Sequence, residues 1–269
     1  MAANDSESVL VGVDFTAELL RVLLTTEGGR PVHEGEWALP PLEDEEAWSW
    51  EVGGRIAALF ADEGQRRSAL AIVVAAPGPV EPISGRLLGC PSQPAWDGLS
   101  VVDALRRHIG APIAAENRVV TSMLAECWQG AGAGSDDVLY VSLRGEPASA
   151  LLIGSRPVRG AHFEAGALPA MPALVPGAPL NEADAEAVVS LLADASALLD
   201  PELVVIDAEA AHLARLVPLL QRVLDEVAPN THAVAATLGE RAAVIGAVRM
   251  ASSLAFEGPQ RATPGRQRK

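Results

Sequence analysis

Basic residues are scarce in this chain: 20 Lys and Arg stand against 35 Asp and Glu, for a net charge of −15. A surface of that sign repels phosphate backbones, so a nucleic-acid partner is not expected without a well-segregated basic patch. The one basic cluster, Arg261, Arg266, Arg268 and Lys269, sits among Pro, Gly and Gln. It reads as a solvated terminus, with residues 256–269 a flexible tail. Cysteine is rarer still. Cys90 and Cys127 give neither a disulfide framework nor a metal-ligand spacing, and a reducing, cytoplasmic setting fits best. No apolar run approaches the roughly 18 residues of a membrane span. The opening residues 1–8 lack a basic region ahead of an apolar one, so no secretory signal is expected. What remains is an ordinary globular balance, 49% hydrophobic and 20% charged over 269 residues, enough for one large domain or two small lobes.

Residues 9–14 (Val-Leu-Val-Gly-Val-Asp) read as a strand buried on both faces. Residues 19–26 and about 32–39 follow as two more, joined by the Gly28-Gly29 turn. Trp48, Val52, Ile56, Leu59 and Phe60 recur at helical spacing, which predicts an amphipathic helix over residues 46–62 with its aromatics in the core. A buried-strand run at 70–76 breaks into Pro77-Gly78-Pro79. Then come Ser84-Gly85-Arg86-Leu87-Leu88, Trp96-Asp97-Gly98, and a helix begun near Ser100 and closed by Gly110. The strand at 112–115 runs straight into Glu116-Asn117-Arg118 and a helix ending near Gly130. Strands are expected at 137–143, 150–153, 203–206 and 233–236. Asn181 is expected to cap a helix through Leu192, and a long helix carries Leu213, Leu216, Leu220 and Leu224 on one face.

The order of these pieces, from Val9 to Ser253, resembles the ROK family of bacterial sugar kinases and sugar-responsive repressors. The resemblance rests on the strand into Pro77-Gly78-Pro79-Val80, on Gly85-Arg86-Leu87-Leu88, on Trp96-Asp97-Gly98, and on the strand entering Glu116-Asn117 before a helix. Arg159-Gly160-Ala161-His162 and the closing helix from Leu238 extend it. It implies an α/β, two-lobed actin-like (ribonuclease-H-like) sugar-kinase fold with mixed sheets flanked by helices. The lobes expected are residues 1–115 and 116–239, with the closing helix at 240–255 packing back towards the first.

The same resemblance marks where this chain departs from the family. Asp14 matches a magnesium-phosphate Asp, but the glycines that follow it in relatives are replaced by Phe15-Thr16-Ala17-Glu18-Leu19. Glycines there let backbone amides approach phosphates, and Glu18 adds a repelling charge. The second phosphate loop reads Arg144-Gly145-Glu146-Pro147-Ala148, in which Pro147 removes an amide donor. The adenosine-side glycine pair reads Asp207-Ala208. The sugar-binding Glu and the His that also ligates zinc align with Ala167 and Ala170, and no cysteine follows, so no zinc is expected and His162 reads as structural. Upstream of Asp97, Ser92 and Gln93 stand in for a sugar-binding Asn.

The decisive departure is Arg118, at the position of the family's catalytic Asp. A sugar kinase needs a carboxylate to orient the acceptor hydroxyl and take its proton. A guanidinium has no acceptor lone pair and stays protonated. Glu116 is the one rescue candidate, but neighbours on an extended segment project to opposite sides. Three roles are open to Arg118: anion binding, pairing with Asp14 or Asp97, and solvation. Internal pairing is the first expectation.

The vestigial cleft would then comprise Asp14, Gly78, Asp97, Asn117, Arg118, Gly145 and Glu164. The expected function is a catalytically inactive, regulatory, ligand-sensing or scaffolding relative of the sugar kinases, with no cofactor. The alternative is an active ATP-dependent hexose or N-acetylhexosamine kinase with a rebuilt site, which would need Mg-ATP. A homo-oligomer, an active family relative and a small sugar are the partners expected. The repressor branch's helix-turn-helix is not expected ahead of the first strand.

Overall fold

The computed structural model describes residues 7–61, 67–90, 92–168 and 171–257. Asp62, Ala170 and the basic residues of the tail lie outside them. Two five-stranded sheets carry the chain. The first is built from β1 (Glu7–Phe15), β2 (Leu19–Thr26), β3 (Pro31–Ala38), β4 (Arg67–Ala76) and β7 (Ile113–Asn117) in the order β3-β2-β1-β4-β7. Its first three strands form an antiparallel meander, while β4 and β7 join parallel to β1. A small ribbon, β5 (Val80–Glu81) with β6 (Arg86–Leu87), follows β4.

Between β3 and β4 the expected amphipathic helix is interrupted. Asp44 accepts from the Ala47 amide at 2.8 Å and starts α1 (Glu45–Trp48). A π-helical stretch (Ser49–Gly53) then leads into α2 (Gly54–Ala58). The wider turn matches the four-residue spacing of the buried Trp48, Val52 and Ile56, all 0% exposed. Ser100 caps α3 (Val101–Arg106) by accepting from the Asp103 amide; this helix ends before Gly110.

The second sheet repeats the plan: a meander, then parallel strands. It comprises β8 (Val138–Ser142), β9 (Ala148–Ile153), β10 (Arg156–Pro157), β11 (Leu203–Asp207) and β12 (His232–Ala235), in the order β10-β9-β8-β11-β12. Four helices complete the chain: α4 (Arg118–Gln129), α5 (Glu182–Leu199), α6 (Ala210–Val227) and α7 (Ala242–Glu257). Asn181 caps α5 as expected, but the helix runs on past Leu192 to Asp200 in the left-handed region (φ 50°). Ala193, Ala195 and Ser196 are buried and prolong its inner face.

Alternation along the strands distributes the core. On the first sheet Val9, Val11, Val13 and Phe15 face Trp48, Trp96 and Leu105, while Leu10, Ala71, Val73 and Ala75 face α7. On the second, Val138, Tyr140, Ala150 and Val205 face Val119, Val120 and Met123 of α4, while Leu139, Val141, Val204 and Ile206 face α5 and α6. The α4–α7 pair therefore lies between the two sheets. Backbones nearly touch there: a Cβ on Gly246 would overlap the Thr121 carbonyl, and one on Gly12 the Val244 carbonyl. Glu126 of α4, 0% exposed, ties the layer together. Its Oε1 accepts from the amides of Thr237 (2.8 Å) and Leu238 (2.7 Å), and its Oε2 from the Ala131 amide (2.7 Å) and the Thr237 hydroxyl (3.1 Å).

Candidate functional site

In open α/β sheets ligands bind beyond the carboxyl ends of the parallel strands. Here those ends bring forward Asp14, Ala76 and Asn117 from the first sheet and Ser142, Asp207 and Ala235 from the second. Three arginine–carboxylate pairs fill this region.

The first is Arg118 with Asp14. Arg118 Nε donates to Asp14 Oδ1 at 2.7 Å and Nη2 to Oδ2 at 3.3 Å. The Asp14 side chain is 1% exposed and that of Arg118 27%. Arg118 is the first residue of α4, where a cation opposes the helix dipole and a carboxylate would be favoured. The Asp14 carboxylate offsets this. Burial alone would lower the Arg118 pKa, but the charge and hydrogen bonds of Asp14 raise it overall. Arg21 Nη1 adds a weaker contact to Asp14 Oδ2 at 3.7 Å, its other nitrogens being held by Glu36 and Glu240.

The second pair is Arg144 with Asp207. Nε donates to Asp207 Oδ1 and Nη2 to the Ala208 carbonyl, each at 2.7 Å. Asp207 Oδ2 accepts from the hydroxyls of Ser142 at 3.3 Å and Tyr140 at 3.4 Å. Burial, reinforced by the neighbouring Asp207 charge, pushes the Tyr140 phenol well above its ordinary value. The third pair is Arg159 with Glu116. Nε and Nη2 meet Glu116 Oε2 at 2.8 and 2.6 Å, while Oε1 accepts from the Asn117 amide at 2.9 Å.

Two of the remaining expected site residues, Asn117 and Asp97, make hydrogen bonds within the frame. Asn117 Oδ1 caps α4 through the Val119 amide at 3.2 Å. Asp97 Oδ1 accepts from the Cys90 amide at 3.0 Å, and its neighbour Trp96 is core, donating to the Leu42 carbonyl at 2.9 Å and packing on Phe15. Gly78 has φ +99°, and a Cβ there would overlap the Gly89 carbonyl. Gly145 has φ +66° with open space around it, and Glu164 and His162 are exposed. Asp14, Glu116 and Arg118 thus lie within one set of ion pairs, while Asp97 and Glu164 take no part in it. Sequence reasoning missed Arg144 as the partner of Asp207 and Arg159 as the partner of Glu116. The one available signal was the appearance of an Arg at one altered loop and an Asp at another.

At the first of the places expected to hold nucleotide, the backbone amides are already engaged within the chain. After Asp14, the Thr16 amide is used by the Leu19 carbonyl at 2.8 Å and the Glu18 amide by the Thr16 hydroxyl at 3.3 Å, closing a plain hairpin. Phe15 is 0% exposed in the core. Asp14 is occupied by a cation of the chain itself. No three His, Cys, Asp or Glu side chains are grouped to hold a metal ion among the described residues.

A family model described as the ROK family matches residues 11–173, more than half of the chain. The chain belongs to the ROK family. Beta-glucoside kinases of Listeria monocytogenes and Listeria innocua are each 32% identical to this ROK protein over 107 residues, which is 40% of this chain and 36% of theirs. The match thus spans about a third of the length of those relatives. Among solved structures, a ROK transcriptional regulator homologous to the MLC protein of E. coli superposes with a TM-score of 0.75 at 15% identity, covering 95% of this chain and 80% of that one. The Streptomyces griseus ROK glucokinase, solved with glucose and AMPPNP, gives 0.68 at 19%, covering 93% and 100%. The Thermus thermophilus ROK hexokinase gives 0.71 at 19%, covering 93% and 99%. At such identities it is the fold that is shared: this ROK protein has the two-lobed actin-like fold, with mixed sheets flanked by helices. No described helix is long and apolar enough to cross a membrane.

Proposed function

We propose that this protein is a catalytically inactive member of the ROK family, a pseudokinase with a regulatory, ligand-sensing or scaffolding role in the cytoplasm. The observation that carries this reading is the bidentate Arg118–Asp14 pair. One residue stands where the family resemblance places the base, the other where it places the magnesium-phosphate Asp, and each neutralises the other. The Arg144–Asp207 and Arg159–Glu116 pairs support it, because they engage the other two carboxylates at the strand ends. Glu116, the rescue base, is held on both oxygens. Its charge is answered by Arg159 and one oxygen already serves the Asn117 amide, which makes it a poor base for an acceptor hydroxyl. Phosphoryl transfer depends on positioning and charge stabilisation, and Glu18, Glu146 and Pro147 supply the wrong charge and one amide too few. Mg-ATP is accordingly not a cofactor on this reading. A homo-oligomer or a complex with an active relative would be the working form, with any sugar bound as a signal.

The test is an ADP-release assay on the full chain with Mg-ATP and a panel of hexoses and N-acetylhexosamines. It runs beside a thermal-shift titration of each ligand alone and combined. Expected is no turnover above the protein-free control, in the wild type and in Arg118→Asp alike. A sugar shift without a nucleotide shift identifies a sensor, and no shift a scaffold. Turnover that Glu116→Gln abolishes overturns the proposal in favour of an active sugar kinase.

A further inference from the structure

The chain passes between its two halves at Asn117–Arg118, from β7 into α4, and again at residues 236–238, from β12 towards α7. Each half has its own sheet, with no strand shared. Among the described residues no backbone hydrogen bond joins residues 7–117 to residues 118–236. Arg21–Glu240 and Arg241–Glu34 fasten the second crossing to the first sheet, which leaves the setting of the second sheet free. Behind the cleft the halves meet through α4 and α7, and small groups make that contact: Gly246 lies against Thr121, and Ala125 clusters with Ala243 and Ala247. Packed helices can slide on one another, and small side chains interdigitate little to prevent it. At the cleft, by contrast, two ion pairs cross from half to half. Arg118 reaches Asp14 at the end of β1, and Arg159, from the loop after β10, reaches Glu116 on β7. One strand, β4, separates β1 from β7, so the two contacts stand roughly 10 Å apart. A single contact would serve as a pivot, whereas two at that separation resist both opening and twisting.

We propose that the Arg118–Asp14 and Arg159–Glu116 pairs are a two-point latch across the cleft. It holds the two halves at one setting, with or without a small molecule between them, and lets them part only when both pairs are broken. The first half supplies both carboxylates and the second both arginines. Parting them would leave buried Asp14 with only the 3.7 Å contact to Arg21, and buried Glu116 with only the Asn117 amide. A buried charge stripped of its partner is costly, so the parted form is rare. The arginines oppose parting less, because each side chain already keeps about a third of its surface in water. The same exposure opens both pairs to screening by salt. The latch concerns the setting of the halves and does not rest on the protein being catalytically inactive.

The test is a distance between spin labels on the full chain, read by double electron–electron resonance. Labels go on Glu46→Cys of α1 and Ser190→Cys of α5, exposed positions on the outer helices of the two halves. Cys127→Ala is the common background, Cys90 being buried. The latched protein is compared with Arg159→Ala, with Arg159→Lys and with the double variant Arg118→Ala, Arg159→Ala, each alone and with Mg-ATP and glucose. Expected is one narrow distance in the latched protein, unmoved by either ligand and kept by Arg159→Lys, which retains the charge. The double variant should give a broader distribution whose mean moves by more than about 2 Å, with Arg159→Ala between the two. A double variant that is folded by circular dichroism and keeps the latched distance overturns the proposal. So does a latched protein whose distance moves by more than about 2 Å on adding ligand. Should the double variant not fold, Arg159→Ala decides in about 1 M sodium chloride, which weakens the remaining pair. No arm reads turnover, so the latch can fail while the inactive reading stands, and the reverse.

Discussion

Arg118→Ala tests whether the ion pair at the heart of the cleft holds the protein together. Truncation leaves the Asp14 carboxylate, 1% exposed, with only Arg21 at 3.7 Å. Removing one partner of a fully buried pair costs ~3–5 kcal/mol. The Arg118 side chain keeps 27% of its accessibility and Arg21 supplies residual compensation, so the expected loss falls to about 2 kcal/mol. For a chain of this length that lowers the midpoint of thermal unfolding by roughly 4–8 °C. Arg241→Ala is the control: its pair with Glu34 is bidentate too, but the side chains are 54% and 47% exposed, and a change within about 1 kcal/mol is expected. The double variant Asp14→Leu, Arg118→Met removes both charges and should recover most of the loss, because an apolar replacement of a buried pair is often neutral. Differential scanning calorimetry of the four proteins decides the matter. If Arg118→Ala unfolds within about 1 °C of the wild type, or moves no more than Arg241→Ala, the pair is not a clamp. The argument from it then fails.

Tyr140 is the chain's single tyrosine, so absorbance at about 295 nm reads its ionisation alone. Burial and the Asp207 charge hold it protonated. Its contribution to stability is whole below the unfolded value of about 10 and is lost as pH rises towards the higher folded value. No reversible titration should appear before alkaline unfolding, and a folded-state transition near pH 10 contradicts the assigned contacts. Glu126→Ala strips an acceptor from three amides and a hydroxyl in a buried layer. A loss of at least about 3 kcal/mol is expected in urea titration, and less than about 1 kcal/mol would mean that water replaces the carboxylate. Gly246→Ala forces α7 away from α4 and should cost about 1–3 kcal/mol. An unchanged unfolding midpoint would show that the two helices are not in backbone contact.

The strands were legible because β-branched runs broken by Gly, Pro and Asn recur at both sheets, and because Asn181 and Ser100 announce their helices. An internal carboxylate partner for Arg118 could be expected in advance, with Asp14 and Asp97 both open, and the structure places Asp14 there. The Arg144–Asp207 and Arg159–Glu116 pairs were not legible: 63 and 43 residues separate their members, Arg144 and Asp207 each looked like part of a lost motif, and Arg159 and Glu116 like parts of kept ones. The π-helical stretch at Ser49–Gly53 and the run of α5 beyond Leu192 were hidden for another reason. Small residues such as Ala193, Ala195 and Ser196 bury themselves without a strong periodic signal. Asp97 sits between Trp96 and Gly98 in the family spelling, and its bond to the Cys90 amide is a local contact that the spelling does not announce.

The bare glycine surfaces at Gly12 and Gly246 bind the order of synthesis to the order of folding. The inner face of β1 is covered chiefly by α7, which leaves the ribosome roughly 230 residues later, an interval of about 10–50 s at ordinary elongation rates. During that wait Leu10, Ala71, Val73 and Ala75 form an open apolar face on a nascent sheet. A stop codon anywhere before α7 would therefore release a chain whose first-made strands are its least protected, a substrate for chaperones and proteases.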